Sequence, residues 1–286
     1  MKRNLLAMMV IAMAFGTANA QESSGATGSE YFHQAGAGAS EVEAGLNYHL
    51  GSVSKAKTAA ATDVKTSGLQ SLYGQYQYGI NEMFAVGGRI GYQATETDTT
   101  PKTKTSGLQD VAVFMEGTNA MGAGNLKFGA DLGIGLAKKK VGTDTDAGTG
   151  GLSLAPYVGW DMSAGPGMLG AKLQYTWRGE RKSETAGTET ATKDGNTVGL
   201  SAFYEHMMAD VTLGAALNFD MTADQVSTTS GVSTTSKAHN TTGIDLYSMI
   251  PFAGWSLLPG LTFDFADSEQ DKYQFVTLNV AGRFAF

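Results

Sequence analysis

A two-residue period dominates this sequence. In "EVEAGLNYHL" Val42, Ala44, Leu46, Tyr48 and Leu50 share one face, while Glu41, Glu43, Asn47 and His49 share the other. "NLKFGADLGIGL" repeats the pattern from Leu126 to Leu136, and "DVTLGAALNFDM" repeats it from Val211 to Met221. Side chains alternate across a strand but not around a helix, so this alternation over about ten residues specifies half-buried β-strands. Twelve segments carry it, near 41–50, 69–79, 84–94, 108–116, 125–137, 151–161, 168–178, 197–206, 210–221, 242–255, 261–267 and 274–286.

The connections alternate too. Residues 51–68, 95–107, 138–150, 179–196, 222–241 and 268–273 form one set, mostly long and rich in Thr, Ser, Lys and Asp. Residues 80–83, 117–124, 162–167, 207–209 and 256–260 form a set of tight turns. Short turns at one end and long loops at the other are the pattern of a transmembrane barrel with periplasmic turns and extracellular loops. A soluble β-sandwich leaves that asymmetry unexplained. The expected fold is therefore all-β: an antiparallel up-and-down transmembrane β-barrel of about twelve strands, with ten to fourteen compatible with the pattern. After residue 20 no stretch is long and apolar enough for a spanning helix.

The first twenty residues read as a leader. Lys2 and Arg3 precede an apolar run from Leu5 to Phe15, and Ala18-Asn19-Ala20 is a small-x-small cleavage pattern. The expected division is a cleaved signal peptide at 1–20, a periplasmic N-terminal tail at 21–37 and the barrel at 38–286. Losing Lys2 and Arg3 leaves 18 basic against 27 acidic side chains, a net charge of −9. That balance argues against a nucleic-acid partner, and the absence of cysteine excludes disulfides and thiolate metal sites. No cofactor or metal is expected.

Aromatic residues fall at both ends of the strands. Phe84, Trp160, Trp255 and Phe284 lie toward the periplasmic rim, and Tyr92 and Trp177 toward the outer rim, as in the girdles of membrane barrels. "GWDMSAGPG" (159–167) and "GWSLLPG" (254–260) each put a Trp before a Pro-Gly turn, and "TSGLQ" occurs at 66–70 and again at 105–109. In the last strand, "TLNVAGRFAF", Val276, Leu278, Val280, Phe284 and Phe286 alternate with Thr277, Asn279 and Arg283. With the leader and the twelve strands, this segment resembles the Gram-negative outer-membrane β-barrel superfamily, porin-like members included. The resemblance implies that Phe286 ends a signal read by the barrel-assembly machinery. It also implies an outer-membrane location among lipids and lipopolysaccharide. "YGINEMFAV" (78–86) and "SGLQDVAV" (106–113) are similar to stretches in a family of barrel transporters linked to phenol degradation.

In such a barrel, function belongs to the lumen face and the loops. Many lumen positions are small, among them Gly45, Gly87, Gly129, Gly170 and Gly214, which predicts a narrow water path. Charges on that face include Glu43, Asp131, Asp220, Asp245 and Asp264 against Arg89, Lys127, Lys172, Arg178 and Arg283. The acidic excess favours cations, while Glu43 and Arg283 are expected to pair where the first and last strands meet. The four histidines offer no convincing catalytic constellation, and Glu205 with His206 reads as a solvated turn. The expected function is a non-enzymatic porin-like channel for small hydrophilic solutes, mildly cation-selective. The alternatives are a structural or surface-display barrel with a closed lumen, or a barrel transporter for small hydrophobic compounds. A loop or the 21–37 tail folding inward would plug the lumen. The solute and the oligomeric state are left open.

Overall fold

The computed structural model describes residues 29–57, 62–136, 139–142, 144–185 and 187–286. The leader at 1–20 lies outside the described residues. Twelve antiparallel strands form a closed ring: β1 (Ser40–Ala56), β2 (Val64–Gly79), β3 (Phe84–Thr97), β4 (Val111–Met121), β5 (Gly124–Ile134), β6 (Leu152–Ala164), β7 (Gly167–Arg178), β8 (Thr197–Met208), β9 (Val211–Thr222), β10 (His239–Phe252), β11 (Trp255–Asp267) and β12 (Gln270–Ala285). Each pairs with its chain neighbours, and β12 pairs back to β1 with Glu43 opposite Arg283. Ser40 and Phe286 exchange backbone hydrogen bonds of 3.0 and 2.9 Å at the foot of that seam. Closure leaves no edge whose amide groups would face lipid unpaired.

The apolar face of each strand points outward. On β7, Leu169, Leu173, Tyr175 and Trp177 are exposed, whereas Gly170, Lys172 and Gln174 alternate with them inside. In a soluble protein such a surface would be a liability; against acyl chains it is the stabilising one. The predicted girdle residues all lie on outward positions, and Phe252, Trp255 and Phe284 stack in series with ring centroids 4.6 and 5.9 Å apart.

One expectation needs correction, and two further features of the connections emerge. The turn expected at 256–260 lies instead at Ala253–Gly254, and Pro259-Gly260 falls inside β11. Proline has no N–H to give the ladder. The β10–β11 pairing accordingly skips Ser248 and Met249 opposite Leu258 and Pro259, resuming at Ile250↔Leu257 in unchanged register. The long connections, first, carry β-structure of their own. Residues Thr103–Leu108 extend β3 as a hairpin, and five short strands from Lys139–Lys140 to Val232–Ser236 form a second sheet beyond the outer rim. Threonine is β-branched, and alternate threonines pair across strands, as Thr190 and Thr229 do at 2.7 Å.

Second, the two "TSGLQ" copies are structural partners. Gly68 and Gly107 adopt φ of 115° and 128°, values L-residues avoid. The Gln109 side chain of the second copy donates to the Gln70 carbonyl of the first at 3.1 Å and accepts from Ser71 at 2.8 Å. The repeat thus builds a matched pair of kinks on either side of β3.

Candidate functional site in the barrel lumen

The lumen-facing glycines do not leave empty space. Each of five lies directly opposite an aromatic residue on the next strand: Gly45 opposite Tyr73, Gly87 opposite Phe114, Gly129 opposite Tyr157, Gly170 opposite Phe203 and Gly214 opposite Tyr247. A Cβ at any of these glycines would overlap the facing ring. The rings therefore lie across these glycines and occupy the space over them, which corrects the reading of these small residues as free volume. The device occurs in five of the six up-down hairpins. In the sixth, β11–β12, Gly260 faces Asn279, with no aromatic ring.

The N-terminal segment packs against these rings at the foot of the bore. Residues 29–37 run inside the barrel, with a single 3₁₀ turn at Glu30–Phe32. Ser29 donates through its amide and hydroxyl to Asp161 on β6, at 3.3 and 3.1 Å. The amides of Glu30 and Tyr31 donate to the two oxygens of Glu205 on β8, at 2.9 and 2.7 Å, and Tyr247 on β10 donates its hydroxyl to the same carboxylate at 2.9 Å. His33 meets Glu41 on β1 at 2.6 Å, the Ala35 amide donates to Gln77 on β2 at 2.8 Å, and Thr118 on β4 donates to Gln34 at 2.7 Å. Arg283 on β12 donates to Glu30 at 2.8 Å and to Glu43 at 3.1 Å. Six of the twelve strands thus bond directly to one short segment, and β10 supports it through Glu205.

Apolar packing adds to these bonds. Tyr31 stacks on Phe203 at 4.4 Å, and Phe32 packs edge-on to Phe203 at 5.5 Å and over Tyr157 at 6.2 Å. Phe32, Phe203 and Ala216 form a buried hydrophobic cluster inside the barrel. Asp161 and Glu205 are 0% exposed; a buried carboxylate needs several donors to offset its lost hydration, and the segment supplies them. Glu205 is therefore an anchor and not part of a solvated turn.

The predicted lumen charges divide by role. Glu43 and Arg283 pair across the seam, as expected, and Arg283 also holds the N-terminal segment. Lys127 lies 3.7 Å from Asp161 and donates to Thr118, tying together two of the segment's anchors. Lys172 sits 5.5 and 5.7 Å from the ring centroids of Tyr31 and Tyr157, a cation–π arrangement. Asp245 accepts from Asn218 and Thr262, both at 2.7 Å. Asp131 lies in the electrostatic field of Arg89 and Lys172, and Asp220 in that of Lys172 and Arg178. Arg178 is at the outer mouth, donating to the Gly195 carbonyl and to Thr197. Asp264 lies over Gly243 without a hydrogen bond to any described residue. Sequence reasoning missed Tyr31, Phe32, Gln77 and the five facing aromatics. The signal available for the last was a glycine on each rising strand with an inward ring on the next.

Two adjoining cavities lie on the side of the hairpin that lacks a ring, and a further one of about 390 Å³ lies at the outer mouth around Arg178 and Arg181. One of about 410 Å³ is lined by Asn47, His49, Asp264, Tyr273 and Phe275, among others. One of about 310 Å³ is lined by Glu30, Tyr31, Tyr247, Pro259 and Arg283. They share Thr262 and Asn279 as walls and so adjoin. Together they lead along β10–β12 to the N-terminal segment, which closes the foot.

The closure carries a titrating group. His33 Nε2 meets Glu41, and Nδ1 lies 3.7 Å from Glu30. Burial and Arg283 oppose its charge, but the hydrogen bond to Glu41 and the nearby charge of Glu30 outweigh them and raise its pKa. Burial would likewise raise the Glu30 carboxyl, yet His33 and Arg283 hold it at about 2. A raised pKa stabilises seating below the free imidazole value of about 6.5, and this contribution is lost as pH rises through the raised value. Segment release, followed by protease access in refolded protein, should therefore increase above neutral pH, and His33→Gln should flatten that dependence.

No protein-family model and no curated protein matches the sequence. Among solved structures, the chain is similar to the COG4313 outer membrane channel from Pseudomonas putida F1, at 12% identity over 90% of this chain and 99% of that chain, with a TM-score of 0.74. It is also similar to the translocator domain of the autotransporter NalP from Neisseria meningitidis, at 12% identity over 100% and 96%, with a TM-score of 0.53. The fold is thus that of a Gram-negative outer-membrane β-barrel.

Proposed function

We propose that this protein is an outer-membrane channel closed at rest by its own N-terminal segment. The observation that carries the reading is the placement of residues 29–37 across the foot of two adjoining cavities, bonded to six strands of the barrel. Passage is passive and non-enzymatic. The walls of the open side set Asp245, Asp264, Thr262 and Asn279 beside apolar and aromatic groups, and the carboxylates suit small hydrophilic solutes and favour cations. A surface-display barrel needs no such path, and the path favours the channel.

Single-channel recording in a planar bilayer tests the reading. The intact chain is expected to be silent or to open rarely. A variant lacking residues 29–37 should show steady discrete steps, with a reversal potential in a salt gradient that favours cations. A variant that is folded, as shown by faster migration unheated than boiled, yet silent would overturn the channel.

A further inference from the structure

The geometry points to a subsite for a small organic cation in the larger lumen cavity, with Asp264 as counter-ion and the rings of Tyr273 and Phe275 as its apolar wall. The inference rests on the channel reading and names the class of solute the channel selects.

Three observations converge on it. The first is an uncompensated charge. Asp264 has no hydrogen bond or ion pair among the described residues, and the charges that act on it are the carboxylates of Asp245 and Asp220. Asp245, by contrast, is capped by Asn218 and Thr262. A carboxylate in a confined lumen without a cationic partner is held against its electrostatic cost, and a cation entering beside it removes that cost.

The second is the wall. Tyr273 and Phe275 lie with ring centroids 5.0 Å apart, and His49 meets Phe275 edge-on at 5.7 Å. A hydrated metal ion gains little from such surfaces, and no described group of three His, Asp or Glu has metal-binding geometry. An alkyl or aromatic ammonium gains from both features, since its charge faces the carboxylate and its carbon groups face the π-systems. The third is space. About 410 Å³ lies within the range of cavities that enclose a small ligand, and Asn47 and Asn279 supply polar contacts on the remaining walls. The cavity is open because the facing ring is absent at Gly260–Asn279.

Benzyltrimethylammonium titrated calorimetrically into the refolded full chain in micelles tests the inference, with benzyl alcohol and benzoate as neutral and anionic comparators. Saturable one-to-one binding of the ammonium, with the comparators much weaker, is expected. Asp264→Asn should weaken it roughly tenfold or more, and Tyr273→Ala several-fold. Asn47→Lys places a competing cation in the cavity while leaving Asp264 in place; it guards against misfolding of the aspartate variant and should also abolish binding. Equal affinity for benzyl alcohol, no saturable heat from folded protein, or undiminished binding in both Asp264→Asn and Asn47→Lys would overturn the subsite. Binding is read without conductance. A folded variant that lacks residues 29–37 and is silent would therefore overturn the channel while leaving the binding result intact, and a conducting one that does not bind would do the reverse.

Discussion

Glu205→Ala should convert a barrel that is closed nearly all the time into one that conducts for a large fraction of it. The Glu205 carboxylate accepts from the Glu30 amide, the Tyr31 amide and the Tyr247 hydroxyl. Alanine leaves those three donors without an acceptor in a site the wild-type protein keeps dry. Each buried, unsatisfied donor costs about 1–3 kcal/mol. The chain can avoid part of that cost by withdrawing residues 29–37 into water, where their amides are hydrated. Tyr247 remains in the wall, so not all of the cost falls on the seated state. A net loss of about 3 kcal/mol corresponds to roughly a hundredfold shift toward the open state. Open probability in a bilayer is the direct measurement, and unchanged migration of the unheated protein shows that the barrel is intact. An unchanged open probability would mean that Glu205 does not hold the segment.

Phe32→Ala should open the same gate by a different route. Phe32 lies among Tyr31, Tyr157 and Phe203 and covers Gly159, where a Cβ would overlap its ring. Truncating a buried phenylalanine costs about 3–5 kcal/mol in a rigid core, and less where the surroundings relax. Here the loss falls almost wholly on seating, because Phe32 belongs to the segment and not to the barrel. Gly159→Ala should release the segment as well; adding Phe32→Ala removes the ring clash but leaves the one with the Ala171 carbonyl, so the pair will not be additive. Salt separates the two routes. Openings caused by weakened charge pairs such as Glu30–Arg283 respond to ionic strength, whereas those caused by Phe32→Ala should respond little. Equal open probability in wild type and Phe32→Ala would show that the ring cluster does not contribute to closure.

The sequence by itself determined the strands, their faces and the closing pair. A period of two is a local property, so "EVEAGLNYHL" and "TLNVAGRFAF" each reveal which residues face inward. The alternation of long and short connections then orders them as an up-and-down barrel. Glu43 and Arg283 followed, because the first and last strands must meet. The boundary at Pro259 was misread because Pro-Gly is a turn signal locally, and only the ladder gap between β10 and β11 accommodates it in a strand. The outer sheet was hidden for a similar reason, since polar composition outweighed the β-propensity of threonine.

What fills the lumen was decided only by the tertiary structure. A glycine announces that it has no side chain, but not that Tyr73 or Phe203 lies across it, because that depends on cross-strand register between residues tens of positions apart. Glu205 reads as part of a solvated turn until Glu30 and Tyr31 arrive from more than 170 positions away. Local pattern sets where a side chain points, while the identity of its partner follows from closure of the ring.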